Sequence, residues 1–498
     1  MGRRREKMTE YERRRLENIK RNEQMLAALN IQSRLNDLTT AKRQRDQSKS
    51  YKRSPIKKPK TEGPVVLRRS LRTRGVPPDA ATASGLSDDI DDKKQMEKTS
   101  PLKSFSAERK SPRKQGPLQM KDAYSNDDES DRKLIETISQ CFENSLMSER
   151  DTVDLGSSKF LEKKEGYGAF EPGKRVLGSV DVEALQLKRD NVARLVSGRI
   201  TSLRFFPTLG MSMVVVGNKF GNVGFWNVNA EKEDGDGIYL YHPHPGPISG
   251  IVIDPFSISK VYSSCYDGFI RLMDVEKEVF DMVHYSEDSI YSISLSPNDT
   301  KSLYFSEGMG VVSMWDMRAG KSSFSCDLHE KRVNTLDFNS GNGNLMATSS
   351  TDGTACIWDL RHLSAGKPKS LKTVDHKRSV HSAYFSPTGK FLATTSIADK
   401  VGLSSGSNYE DTSMIYHYNQ TGRWISPFRG IWGWDDSSIF IGNMKRGVDV
   451  ISVEEKKTVA TLESDYMSAI PCRFDAHPYN VGMLAGATSG GQVYIWTP

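Results

Sequence analysis

The sequence feature that most restricts the fold is a short phrase ending in Trp-Asp that recurs along the second half of the chain. Residues 348–361 read as a strand, a turn at Asp352-Gly353 and a return strand closed by Trp358-Asp359. Glycine accepts the positive φ that a tight hairpin turn requires. The phrase returns at Trp315-Asp316, and weaker copies end at Trp226, Met273 and Trp496. A self-similar unit about every 43 residues, each holding several short strands, is typical of a β-propeller.

Strand-ending phrases divide the chain after residue 159 into seven units. We therefore predict an all-β fold for 159–498, a seven-bladed WD-repeat β-propeller. The chain stops two residues after Trp496, at the third strand of the last blade, whereas a blade needs four strands. We expect a strand near Val192–Val196 to complete that sheet, because closing the ring removes an open edge.

Residues 1–158 differ from the propeller in charge and predict a basic, mostly disordered tail. The first 75 residues hold 23 Lys and Arg against 8 Asp and Glu, whereas residues 151–498 hold 35 against 40. Residues 40–130 are rich in Lys, Ser, Asp and Pro and poor in aromatics, which indicates disorder. A charged, weakly amphipathic helix is expected near 9–31, and 133–148 has helical apolar spacing.

Two basic clusters in this tail suggest nuclear function. Residues 52–60 have the composition of a nuclear import signal, with a solvated charge run as the alternative. Four arginines without neighbouring acids suit contact with phosphates, since each neutralised phosphate releases counterions. They are Arg68, Arg69, Arg72 and Arg74.

No reaction chemistry is indicated, and we expect neither an enzyme nor a cofactor. His329, Asp352 and either Ser349 or Ser350 mimic a Ser-His-Asp triad, but in WD repeats such residues join the blade's Trp in a structural hydrogen-bonded chain. The five cysteines show no metal-ligand spacing, so no metal site is predicted. There is no apolar run of about 18 residues, so we expect no transmembrane helix and no membrane partner.

One face of the predicted ring collects basic residues. Connections between blades and turns between the second and third strands share what we call the top face. A positive rim there is what a surface that meets a phosphate backbone needs, with scattered surface charge as the alternative. The predicted DNA-binding cations on this face are Arg199, Lys219, Lys331, Arg332, Lys377, Arg378, Lys400, Lys445 and Arg446.

The fifth unit carries an insertion that adds aromatic rings to the same face. Residues 419–422, Asn-Gln-Thr-Gly, look like a hairpin tip that inserts into a duplex with weakened stacking; an ordinary blade-edge hairpin is the alternative. The predicted DNA-contacting residues are His417, Tyr418, Asn419, Gln420, Arg423 and Trp424.

The opposite face is predicted to carry two copies of Trp-Asp-x-Arg on neighbouring blades. Two adjacent guanidiniums, each next to an Asp, can form forked hydrogen bonds to a partner. Paired phrases of this kind are typical of substrate receptors of cullin-RING ubiquitin ligases. The predicted adaptor-binding residues are Trp315, Asp316, Arg318, Trp358, Asp359 and Arg361.

These motifs resemble the WD repeat-containing protein 76 family, DNA-damage-response WD-repeat proteins related to the small subunit of the damage-specific DNA-binding protein. The resemblance rests on 11–22, on 68–75, on the two Trp-Asp-x-Arg phrases and on 419–428. It implies binding to damaged duplex DNA, and attachment to a cullin-RING ligase through the damage-specific DNA-binding protein 1 adaptor. The tail resembles that of plant members.

The favoured hypothesis is a nuclear, chromatin-associated DNA-binding propeller that serves as a ubiquitin-ligase substrate receptor. The alternative is a non-enzymatic chromatin scaffold whose top face binds histones or chromatin remodellers and no DNA. The mildly acidic balance of the propeller supports that alternative. The damage-binding relative inserts a hairpin of aromatic and polar residues at lesions, for which a Phe-Gln-His triplet is expected. His417, Tyr418 and Asn419 stand at the matching positions here, which puts lesion preference in question but not general DNA binding.

Overall fold

Short apolar stretches bounded by tight turns build this chain, and the computed structural model arranges them into seven antiparallel sheets. The structure describes residues 20, 116–125, 132–140, 173–230, 235–297, 299, 301–363, 368–422 and 425–498. Apart from residue 20, the helix expected near 9–31 lies outside these residues. The same is true of the import signal at 52–60 and of Arg68, Arg69, Arg72, Arg74, Arg423 and Trp424.

Each blade has four strands, and the seven-bladed prediction is confirmed. Two strands precede the first blade: β1 (Leu118–Gln119) and β2 (Gln186–Arg194). Blade 1 contains β3 (Ile200–Phe205), β4 (Met213–Asn218), β5 (Val223–Asn227) and β6 (Ile238–Tyr241). Blade 2 contains β7 (Ile248–Asp254), β8 (Ser257–Cys265), β9 (Phe269–Asp274) and β10 (Val279–Tyr285). Blade 3 contains β11 (Ile290–Leu295), β12 (Ser302–Glu307), β13 (Val311–Asp316) and β14 (Lys321–Asp327).

The remaining blades follow the same order from the innermost to the outermost strand. Blade 4 contains β15 (Val333–Phe338), β16 (Leu345–Ser350), β17 (Thr354–Asp359) and β18 (Lys372–Asp375). Blade 5 contains β19 (Val380–Phe385), β20 (Leu392–Ser396), β21 (Lys400–Ser405) and β22 (Asp411–Tyr416). Blade 6 contains β23 (Ile431–Trp432), β24 (Ser438–Gly442), β25 (Val448–Ser452) and β26 (Lys457–Leu462). Blade 7 contains β27 (Pro471–Ala476), β28 (Leu484–Thr488) and β29 (Gln492–Thr497).

The seventh sheet takes its outermost strand from before the first blade. β2 pairs antiparallel with β29, with Val192 opposite Tyr494 and Leu187 opposite Trp496. This strand runs over 186–194 rather than 192–196, because the register shifts between Leu187 and Val192 and the pairing continues toward the chain terminus. The two ends of the repeat region therefore share one sheet, which closes the ring.

The core consists of apolar side chains packed between neighbouring blades. Val215 and Phe225 of blade 1, for example, belong to one cluster with Ile251 and Val261 of blade 2. The strand-ending tryptophans Trp226, Trp358 and Trp496 are each at most 4% exposed. Two short 3₁₀ helices, Val182–Ala184 and Leu360–His362, lie in the connections.

Part of the predicted tail packs on the propeller, so the prediction of disorder through 130 is wrong for residues 116–125. β1 adds a fifth strand to blade 2 by pairing with β10, and Tyr124 forms a bridge to Tyr241 of blade 1. A helical turn, α1 (Met120–Ala123), lies between these two contacts. We call residues 116–125 the strap, because it joins the outer strands of two blades.

Residues 132–140 are helical and extend the same apolar contact. Leu134 and Ile138 are fully buried together with Met120 and Ala123 of the strap, in a cluster with aromatic residues of blades 1 and 2. The helical apolar spacing noted for 133–148 agrees with this helix over its described part. Among the described residues, no helix is long and apolar enough to cross a membrane.

Candidate nucleic-acid interface and docking surface

Backbone hydrogen bonds define the two faces of the ring. On the top face, the turn between the second and third strands of a blade bonds to a connection between blades. His376 N donates to Gly353 O at 2.8 Å, and Lys219 N donates to Arg199 O at 2.9 Å. On the opposite, bottom face, Leu360 N donates to Asn344 O at 2.9 Å. All nine cations predicted for the top face lie in these top-face turns and connections or at the first residue of β21.

Most of these cations are solvent-exposed. Arg199 and Arg332 are half-buried, and Arg332 lies over the ring of Tyr291, 5.3 Å from its centroid. In the described part of the chain, no carboxylate forms an ion pair with any of the exposed ones. The exposed ones are Lys219, Lys331, Lys377, Arg378, Lys400, Lys445 and Arg446.

The positive charge is confined to part of the face. Blades 2 and 3 place Asp267, Glu287 and Asp288 there, all exposed. The cations belong to the turns and connections of blades 3 to 7 and of blade 1. Exposed Glu330, Glu463 and Asp465 lie in connections among the cations, so these blades form a basic sector by net charge, whereas Asp267, Glu287 and Asp288 form an acidic sector.

The predicted hairpin at 419–422 is not formed. β22 ends at Tyr416 and pairs with β21, and the next strand, β23, begins at Ile431 in blade 6. The residues between them are a connection from blade 5 to blade 6 on the top face. The position of this connection on the top face agrees with the prediction, whereas the prediction of an inserting hairpin tip is wrong.

Two predicted DNA contacts in this connection are buried instead. His417 is 4% exposed, and its Nε2 lies 3.1 Å from Asp449 Oδ2 and its Nδ1 2.7 Å from Asn419 Oδ1. Asn419 is 1% exposed and donates through Nδ2 to Ser396 O at 2.9 Å. Buried polar groups need such partners, so both side chains fix the connection and are unavailable to a base.

The neighbouring residues of the connection face solvent. Tyr418 is 50% exposed, and Gln420 is exposed while its amide donates to Asp399. Further exposed apolar side chains stand on the turns of the same face, among them Phe220 at 46% and Met444 at 36%. Lys219 Nζ lies 4.6 Å from the ring centre of Phe220. Cations and apolar surface thus alternate on this face.

The residues of blade 4 that mimic a catalytic triad form a structural chain of hydrogen bonds. The hydroxyl in this chain belongs to Thr348 and not to either of the predicted serines. His329 Nδ1 lies 2.9 Å from Asp352 Oδ2, and His329 Nε2 lies 2.7 Å from Thr348 Oγ1. Trp358 Nε1 donates to the same Thr348 oxygen at 2.8 Å. Ser349 bonds to Thr335, and Ser350 Oγ donates to the carbonyl of Lys331.

The Trp-Asp-x-Arg phrases both end at bottom-face turns of neighbouring blades. In blade 4, Arg361 Nε donates to Asp359 Oδ1 at 2.9 Å and Nη2 donates to Asp359 Oδ2 at 2.6 Å. Hydrogen bonds from Arg361 lower the pKa of the Asp359 carboxyl well below its usual range. The forked bonds expected for a partner are therefore made within the chain, and the exposed Arg361 retains only its outer edge for a second protein.

The copy in blade 3 is looser. Arg318 Nε lies 3.6 Å from Asp316 Oδ1, and the Arg318 side chain is 65% exposed. Asp316 Oδ1 also accepts from the backbone N–H groups of Arg318 and Ala319, at 2.8 and 3.2 Å, and these bonds lower the pKa of Asp316. Trp315 is half-buried and packs 4.9 Å from the ring of His284.

Comparison with known proteins agrees with this geometry. The family model "WD domain, G-beta repeat" matches residues 320–359 and 368–401. WD repeat-containing protein 76 from Xenopus laevis is 27% identical over 98% of this chain and 80% of its own length. The chain is a homologue of WD repeat-containing protein 76. The family resemblance drawn from the sequence is thereby confirmed.

Relatives extend to fungi. DNA damage-binding protein cmr1 from Emericella nidulans is 25% identical over 99% of this chain and 99% of its own length. WD repeat-containing protein 76 from Mus musculus is 25% identical over 98% of this chain and 74% of its own length. The similarity therefore covers the tail as well as the propeller.

The chain carries polar pairs that sequence reading missed. His244 Nε2 lies 2.8 Å from Ser263 Oγ in blade 2, and His376 Nε2 lies 2.9 Å from Thr394 Oγ1 in blade 5. Both repeat the His329–Thr348 contact of blade 4. Burial lowers the pKa of His376 to about 4. Each of these histidines lies four residues before the innermost strand of its blade, but a histidine there is too common a residue to signal this role without the strand register.

A second missed feature lies along the ring axis. Asp475 Oδ2 accepts from Phe205 N at 2.8 Å, and Asp337 Oδ2 accepts from Phe385 N at 2.7 Å. Arg204 Nη1 lies 3.4 Å from Asp475 Oδ1. Burial raises the pKa of Asp337 to about 6, although the Phe385 N–H and Arg204 act in the opposite direction. These groups stand on innermost strands of different blades, far apart in sequence.

Proposed function

We propose that this chain is a nuclear WD-repeat protein of the DNA damage response that binds duplex DNA through the basic sector of its top face. The supporting observation is the convergence of exposed Lys and Arg side chains from separate blades onto one face. Neutralising phosphates releases counterions, so such a sector binds duplex DNA without reading its sequence. The printed names of the fungal relatives, DNA damage-binding proteins, support the same function.

Exposed apolar side chains beside the cations suit distorted DNA. Tyr418, in the connection from blade 5 to blade 6, and Met444, beside Lys445 in a turn of blade 6, are exposed on the top face. Aromatic and apolar side chains insert where base stacking is already weakened. We expect Tyr418, rather than the buried His417 and Asn419, to contact such a step. The protein is proposed to act by binding, without catalysis.

Mobility shift of the full chain on intact and ultraviolet-damaged duplexes tests this proposal. Lys445→Gln with Arg446→Gln should weaken binding to both probes and lower the salt dependence, because each lost phosphate contact removes about one unit from the slope. Glu454→Gln with Glu455→Gln, on the bottom-face turn of the same blade, is the matched control. Equal binding by all three proteins would refute the top face as the DNA site.

The bottom face is proposed to bind the damage-specific DNA-binding protein 1 adaptor of a cullin-RING ligase through Arg318 and Arg361. Asp359 holds one edge of the Arg361 guanidinium, so the other edge is presented in a fixed orientation. Arg318 is freer to adapt. One rigid and one mobile arginine on adjacent blades supply directional donors to a partner.

Co-purification of the adaptor with full-length variants tests this second part. Arg318→Ala with Arg361→Ala should remove the adaptor, whereas Lys277→Ala should not. Lys277 is a matched control because it lies in the corresponding turn of blade 2 and pairs with Asp274 at 3.1 Å. Unchanged recovery of the adaptor with the double variant would contradict the docking proposal.

The second candidate function is a chromatin reader that binds protein only. The acidic sector of the top face, Asp267, Glu287 and Asp288, favours it, since a basic histone tail or remodeller segment suits that charge. Binding of a histone H3 tail peptide that is lost in Glu287→Gln with Asp288→Asn, without any mobility shift on DNA, would support this candidate over the first.

A further inference from the structure

A row of exposed side chains runs from the outer rim of blade 5 onto the top face. Between residues 414 and 420 burial alternates from one residue to the next, so that every second side chain faces solvent. The exposed members are Met414, Tyr416, Tyr418 and Gln420, which we call the rim row. Tyr416 is 73% exposed, more than any other large apolar side chain of the described residues, and Tyr418 is 50% exposed. Because side chains alternate along an extended backbone, the members of the rim row point to the same side.

The buried residues between these side chains fix the backbone of the rim row. Ile415 packs in an apolar cluster with residues of blades 5 and 6. His417 Nε2 lies 3.1 Å from Asp449 Oδ2 of blade 6, and Asn419 N donates to Asp399 Oδ1 at 2.9 Å. The two tyrosines are therefore presented by an anchored segment, which lowers the cost of ordering them on a ligand.

Basic side chains flank the upper end of the rim row. Tyr416 is the last residue of β22 and lies directly opposite Lys400 of β21 in the antiparallel ladder. Residues opposite each other in such a ladder place their side chains on the same face of the sheet. Lys377 and Arg378, both exposed, lie in the connection that leads into blade 5. The tyrosines thus border the basic sector of the top face.

Acidic side chains are unevenly placed along the row. At its upper end are Asp375 and Asp399, and Asp399 already accepts hydrogen bonds from two residues of the same connection. At its lower end, exposed Glu410 and Asp411 stand where β22 begins. Charge therefore favours a polyanion at the tyrosine end of the row and disfavours one at the Met414 end.

The spacing of the rings suits unpaired bases. Side chains on the same side of an extended strand are roughly 6.6 Å apart, and successive bases of a stretched single strand are separated by a similar length. Proteins that bind single strands stack successive bases on aromatic side chains while cations follow the phosphates. In an intact duplex the faces of the bases are covered by neighbouring base pairs. Exposed rings beside cations therefore suit a single strand better than a duplex.

We propose that the rim row binds a single strand of DNA, with one unpaired base on Tyr416, the next on Tyr418 and a phosphate beside Lys400. This inference rests on the proposed DNA binding and names its substrate class: duplex lies on the basic sector, and one unpaired strand leaves it over the rim of blade 5. An extended peptide added to the outer edge of β22, which pairs with no further described strand, is the competing occupant. The cations beside the tyrosines favour DNA.

Fluorescence anisotropy of the full chain tests this proposal with a thymine single strand, an intact duplex and a duplex that contains a single-stranded gap. The wild type should bind the gapped duplex more tightly than the intact one. Tyr416→Leu should lower the affinity for the single strand, relative to that for the intact duplex, by about fivefold or more, the usual size for stacking on one ring. Tyr416→Phe keeps the ring and should keep the binding. Tyr418→Leu should weaken single-strand binding by a similar factor.

Tyr285→Leu is the matched control. Tyr285 is the last residue of the outermost strand of blade 2, as Tyr416 is of blade 5, and is 41% exposed, but it lies beside the acidic sector. This variant should bind all three probes as the wild type does. Lys400→Gln should instead reduce the salt dependence of single-strand binding, because it removes a phosphate contact.

Three results would overturn the proposal. They are an equal loss of affinity for single strand and intact duplex in Tyr416→Leu, a Tyr416→Phe variant as weak as Tyr416→Leu, and a wild type that binds the intact duplex but not the single strand. The last result leaves the proposed duplex binding in place, whereas a wild type that binds none of the probes removes both. Loss of histone H3 tail peptide binding in Tyr416→Leu, with unchanged single-strand binding, would assign the rim row to a protein instead.

Discussion

Blades 3 and 4 carry the same Trp-Asp-x-Arg phrase in different surroundings. In blade 4, Trp358 belongs to a chain of hydrogen bonds with Thr348, His329 and Asp352. In blade 3, Phe305 stands where blade 4 has Thr348, since each pairs with the residue two before its tryptophan. His284 there packs against both Phe305 and Trp315, at 4.8 and 4.9 Å.

The same strand-ending phrase is therefore held by polar bonds in one blade and by aromatic packing in the other. Directional bonds fix Trp358 at 4% exposure, and Asp359 beside it is clamped by Arg361. Aromatic contacts allow a wider range of ring orientations than hydrogen bonds do. Arg318 of blade 3 is likewise held less tightly, with its Nε 3.6 Å from Asp316 Oδ1. The rigidity of a repeat phrase depends on residues outside it, which a motif search does not include.

The largest expected difference between the blades concerns the tryptophans. Trp358→Ala should lower the free energy of unfolding by about 4 kcal/mol, because it leaves a large cavity and removes the donor to Thr348. Trp315→Ala should cost about half as much, since Trp315 is already half-buried. Urea unfolding followed by circular dichroism gives both values. Equal losses would show that the polar chain adds nothing to the packing.

A smaller effect isolates the hydroxyl that joins the chain. Thr348→Val keeps the shape of the side chain but leaves the buried Trp358 N–H and one His329 nitrogen unpaired, which should cost about 2 kcal/mol. Thr348→Ser, the matched control, keeps the hydroxyl and should lose less. If valine and serine variants unfold at the same urea concentration, the hydrogen bonds do not stabilise this blade.

The smallest effect depends on pH. Burial raises the pKa of Asp352, but hydrogen bonds from His329 and Thr354 outweigh it and hold the pKa well below 3.8. A carboxyl group whose pKa is lower in the folded than in the unfolded protein stabilises the fold at pH values above its unfolded-state pKa. This stabilisation is lost as the pH falls from the unfolded-state pKa through the folded-state pKa. Asp352→Asn should therefore cost about 1 kcal/mol near neutral pH.

The difference between Asp352→Asn and the wild type should shrink as pH falls from about 5 toward 3, as the unfolded aspartate takes up its proton. Asp288→Asn, an exposed acid of the acidic sector, is the control and should show no such change. A difference that stays constant over this range would mean that the charge of Asp352 does not stabilise the fold.

The sequence predicted the seven blades and the face of each cation because strand periodicity and turn glycines act locally. It misplaced the partner of Trp358, since a shift of one residue in a strand reverses the side that a side chain faces. That is why Thr348, and not Ser349, meets His329. Ser350 faces the same side as Thr348 but lies nearer the turn, where its hydroxyl donates to the carbonyl of Lys331. Residues 419–422 resemble a turn, but the following strand belongs to the next blade.

The hydrogen bond from Arg473 to Thr201 near the ring axis was beyond sequence reasoning for a different reason. Thr201 and Arg473 are 272 positions apart yet within hydrogen-bond distance. Only the closure of the ring brings blade 7 against blade 1. A local pattern carries no information about which innermost strands become neighbours through closure.

The strap has a practical consequence for handling this protein. Met120 and Ala123 of the strap, with Leu134 and Ile138 of the helix that follows it, are each fully buried in a cluster with aromatic residues of blades 1 and 2. A fragment that begins after residue 140 would present that apolar groove and the free edge of β10 to water. Exposed grooves and strand edges promote aggregation. Poor solubility of such a fragment would then reflect the missing strap, while the seven blades themselves remained intact.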